Sequence, residues 1–214
     1  MSYLRVAWLL EKFGLDTSGY RKEILAGKQR LDAHVIRRGP WQQAMFGEYY
    51  ERFKLEKPAG LAHEALRAGI ISRRVPADAY TENDIYDLTH EVFVAYDYGL
   101  ERKQDRFSED DLAYARVALP ALAERCIEHE NADLLGEILS CLTYLGWHSD
   151  RSYARSIEYL LDHQNGVGTW GSYEQYRKQF GRYLEQQVYL HTTMVVMDAL
   201  AEAFEGEWPA RGSS

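Results

Sequence analysis

Apolar residues recur along the chain every three or four positions, and nowhere do they alternate in twos for long enough to build a strand. Residues 3–13 make a short amphipathic helix that ends at Gly14. Residues 20–38 make a second, rich in Lys and Arg and stopped by Gly39-Pro40; Pro40 then opens a third that runs to about Lys54. That third helix carries a dense aromatic face of Trp41, Met45, Phe46, Tyr49, Tyr50 and Phe53. A fourth is expected from about Pro58 to Ser72, followed by a loop holding Pro76.

The stretch TENDIYDLTHEVFVAYDYG, Thr81 to Gly99, organises the rest of the chain. Thr81 and Asp84 form a capping box, and Gly99 is the expected stop. Ile85, Leu88, Val92 and Ala95 line one stripe, with Tyr86, His90, Phe93 and Asp97 beside it. Only Asp84, Asp87, Glu91 and Tyr98 mark a polar edge, so this helix is expected to be an inner one. After a charged loop, ERKQDR, Ser108-Glu-Asp-Asp caps a long helix to about Glu130, which Pro120 should kink or split. Asn131 to Gly146 is another, burying Leu134, Leu135, Ile138, Leu139 and Leu142. Residues 150–164 and 189–205 are strongly helical, and 172–186 form a more polar helix between them. The fold class is therefore all-α: about ten helices in consecutive antiparallel hairpins. We expect one domain over 1–214, with a basic helical flank (1–75) packing on a core (81–205).

The 214 residues and ordinary apolar and charged fractions suit a folded chain with a sizeable core. A net charge of −8 argues against dedicated nucleic-acid or anionic-membrane binding. The charge is uneven, with 14 Lys/Arg against 8 Asp/Glu in residues 1–75 and 11 against 25 in the remainder. Cys126 and Cys141 lack metal-ligand spacing and fit reduced core residues of a cytoplasmic protein. The N-terminal stretch has too short an apolar run for a signal peptide, and no segment approaches the ~20 apolar residues of a membrane span. The final Arg-Gly-Ser-Ser fits a frayed tail.

The chemistry-bearing candidates lie in the core region. His90…Asp97 and His191…Asp198 are two His/Asp pairs with the same spacing and apolar residues between, which suggests an internal repeat. Seven residues separate His90 from Asp97, about 10 Å along a helix, too far to share one small ion. His90, His191 and Asp133, on three different helices, could instead converge as ligands for Zn²⁺ or Fe²⁺, or act without metal as acid/base groups. Asp97 is a further catalytic candidate that would accept a hydrogen bond or orient a ligand. Tyr86, Phe93, Trp147 and Glu137 are candidates for substrate binding. His129 reads as solvated, His148 as part of a loop at a cavity rim and His163 as a last-turn cation; His34 and His63 have no partners at useful spacing. Gly-rich phosphate loops, GxSxG and HExxH are absent.

Arg155-Ser-Ile-Glu-Tyr159-Leu160-Leu161-Asp-His-Gln164-Asn-Gly-Val-Gly168-Thr-Trp170 resembles the QW motif of triterpene cyclases and their α/α-toroid relatives. In those proteins the Gln amide and Trp ring tie a helix end to its neighbour, which implies a structural role for Gln164 and Trp170. Tyr189-Leu-His191-Thr-Thr-Met-Val is similar to the segment that carries the zinc-binding histidine in protein prenyltransferase β subunits. Leu88-Thr89-His90 with Asp97-Tyr98-Gly99, followed by the DLLGEIL helix, is similar to small bacterial proteins encoded among natural-product genes. The resemblance implies a toroid or partial toroid. It departs from those families in lacking DxDD, DDxxD and the Asp-x-Cys zinc ligands, and in being shorter than a six-hairpin toroid. The expectation is a small-molecule enzyme of bacterial secondary metabolism that catalyses a cyclisation, isomerisation or elimination on a hydrophobic or aromatic substrate. The alternative is a non-catalytic helical binding protein; a homodimer or a partner enzyme is left open.

Overall fold

The computed structural model describes residues 2–61, 65–100 and 106–206. Every regular element among them is helical, as the periodicity dictates. The expectations for His63, most of the ERKQDR loop and the final four residues lie outside the described residues. The chain divides into two compact units, Met1–Ser72 and Arg73–Ser214.

In the first unit α1 (Ser2–Lys12), α2 (Ser18–Val35) and α3 (Pro40–Arg52) pack on one another. The aromatic face of α3 is its core: Trp41, Phe46, Tyr49 and Tyr50 are buried, and the Tyr50 hydroxyl donates to Asp32 on α2. The helix expected from Pro58 to Ser72 does not form as one. Residues 59–61 are a turn, and among the described residues helix appears only as a 3₁₀ stretch at Ala65–Ala68 and α4 (Ile70–Arg73) at the boundary. Gly60 explains part of this, because a Cβ there would stand 3.1 Å from the Ile36 side chain, so the turn is drawn against the end of α2.

The second unit holds α5 (Glu82–Ala95), α6 (Glu109–Glu128), α7 (Ala132–Tyr144), α8 (Arg151–Asp162), α9 (Arg177–Phe180) and α10 (Leu190–Glu205). Both expected capping boxes are present, Thr81 with Asp84 and Ser108 with Asp111. α6 runs unbroken through Pro120. α7, and not α5, is the hub: residues 134–144 are all buried, and α5, α6, α8 and α10 each pack against it. The packing runs α5, α7, α10 in one row and α6, α8 in another, with short connections that make α6–α7 and α7–α8 antiparallel hairpins. Cys126 and Cys141 lie in this core, buried and unbridged.

Two expectations for α5 change. The helix ends at Ala95, four residues before Gly99, because Asp97 adopts φ +48°. The Tyr98 N–H then bonds the Phe93 carbonyl (2.7 Å) and the Asp97 N–H bonds the Val94 carbonyl (3.2 Å), which is the Schellman arrangement. Glu91, expected on the polar edge, is 1% exposed.

The C-terminus of α8 is closed by the clamp the sequence suggests. The Trp170 indole N–H donates to the Leu160 carbonyl (2.6 Å), and the Gln164 amide donates to the Gly168 carbonyl (3.3 Å). The single polar helix expected over residues 172–186 does not form, and residues 174–189 are irregular. They break into a 3₁₀ turn, the four-residue α9, a second 3₁₀ turn and a π-helical turn at Glu185–Tyr189. No described helix is long and apolar enough to cross a membrane.

Candidate functional site

α7 carries Asp133 and Glu137 four residues apart, hence on one face. Asp133 meets α10, where His191 places Nε2 3.7 Å from Asp133 Oδ1. Glu137 meets α5, where it pairs with the Thr89 hydroxyl and lies 3.7 Å from His90 Nδ1. Carboxylate and ring-nitrogen atoms of Asp133, Glu137 and His191 all lie within 4.8 Å of one another. The rigidity of this meeting comes from Gly136, where α10 approaches so closely that a Cβ would stand 3.1 Å from Val195 and 3.4 Å from the Val196 backbone.

The three groups stand in different environments. The His191 side chain is 61% exposed, that of Asp133 23% and that of Glu137 2%. Asp133 Oδ1 is nevertheless buried and has no hydrogen-bond partner among the described residues. Burial pushes the Glu137 carboxyl up to about 8; the Thr89 hydrogen bond acts against this and the neighbouring Asp133 charge adds to it. The geometry fits a protonated Glu137. Thr89 has one hydroxyl proton for two acceptors, the Tyr86 carbonyl at 2.9 Å and Glu137 Oε2. If Thr89 donates to the carbonyl, the Glu137 O–H can donate to Thr89, and both bonds are satisfied.

Asp133 and His191 open onto a cavity of about 630 Å³. Its walls include Tyr86 from α5, Asn131 and Leu134 around the start of α7, and Tyr173, Tyr176 and Phe180 from the broken segment. Tyr173 is fixed by its hydroxyl against Thr192 Oγ1 (2.7 Å) and by its N–H on the Tyr189 hydroxyl (3.1 Å). The segment is shaped by Gly171, whose φ of +92° leaves no room for a Cβ beside the Tyr173 ring.

The family model described as domain of unknown function DUF6895 matches residues 2–201. The chain belongs to that family. No curated protein and no solved structure matches it. The match spans both compact units of this family member.

Of the sequence-derived candidates, the structure brings His191, Asp133, Glu137 and Tyr86 to one place. His90 lies against Glu137 but outside the three-residue cluster. Its Nδ1 lies 2.9 Å from the Tyr86 carbonyl and its ring lies tilted against Tyr86 with centroids 3.8 Å apart. Phe93 continues that aromatic cluster, with its ring centroid 5.3 Å from His90 and 6.0 Å from Tyr144, and is not on the cavity wall. Asp97 lies beyond the end of α5 in its Schellman turn. Trp147 is at the opposite end of α7 from Asp133, under the Arg116 guanidinium at 5.4 Å. His129 is exposed and on the cavity wall, whereas His163 stacks on Tyr159 away from it. Tyr173 and Thr192 are cavity residues that periodicity does not single out. The cue to Tyr173 is its place just after the glycine turn of the Trp170 clamp.

Proposed function

We propose that this chain is an enzyme acting on a small, partly aromatic molecule held in the 630 Å³ cavity, with Asp133 and His191 on the reacting wall and the buried Glu137 beside them. The observation that carries the reading is their convergence, from two helices, at a wall where a buried carboxylate oxygen has no donor among the described residues. Tyr86, Tyr173 and Tyr176 supply flat apolar surface with polar tips, and Gln175, Gln179 and Gln187 supply amides that orient a substrate without charge.

Proton-transfer chemistry suits such a wall. In an isomerisation a proton leaves one carbon of the substrate and returns to another, so no external reductant or oxidant is needed; cyclisation and elimination use the same groups. The π-helical turn just before His191 supports the reading, because such turns re-aim side chains at functional sites. The row of α5, α7 and α10 backed by α6 and α8, and the clamp at Trp170, are the features that favour kinship with α/α toroids, here a partial one. A cytoplasmic setting in bacterial secondary metabolism belongs to the same reading.

The test incubates the full chain with pooled small-molecule extracts and follows each compound by mass spectrometry. Conversion by wild type, lost in His191→Ala and Asp133→Asn while both variants stay folded, is the expected result. Retention of a compound in stoichiometric amount without conversion would replace the enzyme by a binding protein, and the absence of both conversion and retention would sink the cavity reading.

A further inference from the structure

We infer that Asp133, Glu137 and His191 hold one divalent first-row transition ion, with its remaining positions turned to the cavity. The inference deepens the proposed function and rests on it only for what the ion would do, not for whether it binds.

Three observations carry it. The donor set is two carboxylates and one imidazole, a mixture of hard oxygen and borderline nitrogen that suits Zn²⁺, Mn²⁺ or Fe²⁺ better than the all-oxygen preference of Ca²⁺ or Mg²⁺. The spacing is right: ligands about 2.1 Å from one ion lie roughly 3.4 Å apart at a tetrahedral angle, and His191 Nε2 to Asp133 Oδ1 is 3.7 Å. All three donors fall within 4.8 Å, and the exposed His191 ring can close the remaining distance by rotating. Finally, Asp133 Oδ1 is buried without a hydrogen-bond partner among the described residues, a costly arrangement that a cation would relieve.

The cluster differs from the sequence expectation in one ligand. Glu137 takes the place expected for His90, which lies outside the group of donors within 4.8 Å of one another. The i, i+4 pair on α7 supplies two rigid ligands and α10 the third. A bound ion would polarise a substrate carbonyl or acidify a bound water at the cavity wall.

The test uses untagged full-length chain, stripped with a chelator and titrated calorimetrically with Zn²⁺ and with Mn²⁺. One ion per chain, at least tenfold weaker in each of Asp133→Asn, Glu137→Gln and His191→Ala and unchanged in His163→Ala, is expected. Circular dichroism of each variant shows whether it is folded; Glu137→Gln, which keeps shape and volume, stands in if another fails to fold. Absence of stoichiometric binding to folded wild type, or binding undiminished in the variants, overturns the site. Turnover that survives chelation would also overturn a role for the ion while leaving the enzyme reading intact. Ion binding without any compound converted would do the reverse.

Discussion

Glu137→Gln should flatten the pH dependence of stability, gaining on wild type steadily from about pH 4.5 to pH 8. Burial raises the Glu137 carboxyl to about 8 in the folded chain from an ordinary 4.5. Between those values the unfolded chain has released a proton that the folded chain still holds. The contribution of this group is therefore fully present below pH 4.5 and is lost as pH rises through 8. At about 1.4 kcal/mol per unit, the full span amounts to a few kcal/mol. The amide introduced by the substitution would keep the contact with Thr89 and carry no titrating proton. Urea denaturation of both proteins at pH 5 and pH 8 measures the effect, and the difference between them cancels the titrating groups that do not interact with Glu137, leaving the coupled response of Asp133 and His90 as part of what is read. Parallel losses for the two proteins would mean that Glu137 is ionised in the fold at neutrality.

Gly136→Leu is expected to cost about 3 kcal/mol or more, at the upper end of what overpacking does. The Cβ alone would stand 3.1 Å from Val195 Cγ1, 3.3 Å from Val196 Cγ2 and 3.4 Å from Val196 Cα. The Cβ is already tight against both valine side chains and in contact with the Val196 backbone, so the further leucine carbons have no space unless α10 shifts, and His191 with it. The variant should lose stability in urea and, where still folded, lose the ion and the conversion as well. Gly27→Ala in α2, with nothing within 4 Å of the added carbon, is the comparison and should be neutral or stabilised by up to about 1 kcal/mol. A Gly136→Leu protein as stable as wild type would show that α7 and α10 are not closely packed there.

The features legible in the sequence share a local cause. Both capping boxes, the buried leucines of α7 and the clamp of Trp170 on Leu160 follow from residue types at fixed offsets, and they are present. The stop of α5 falls earlier than Gly99 because Asp97, not a glycine, takes the left-handed turn, a conformation Asp adopts through context that composition does not reveal. Periodicity places Glu91 outside because its neighbours around the helix axis are polar, while tertiary packing buries it. The site is half legible. His191 and Asp133 stand out as ionisable groups on separate helices. Glu137 as their close neighbour, and His90 as a residue turned toward its own helix backbone, depend on the depth at which α5 and α10 pack on α7. The same holds for Tyr173, whose segment has no regular periodicity to read.

The two cysteines of the chain are both in the second unit, on α6 and α7, and both are buried. Burial also raises their thiols, Cys126 to about 12 and Cys141 well above its ordinary range, so the reactive thiolate is scarce while the fold is closed. Modification by a thiol reagent must then wait for the helices around α7 to part. The rate of labelling is a clock set by that opening, and anything that binds between α7 and α10 slows it.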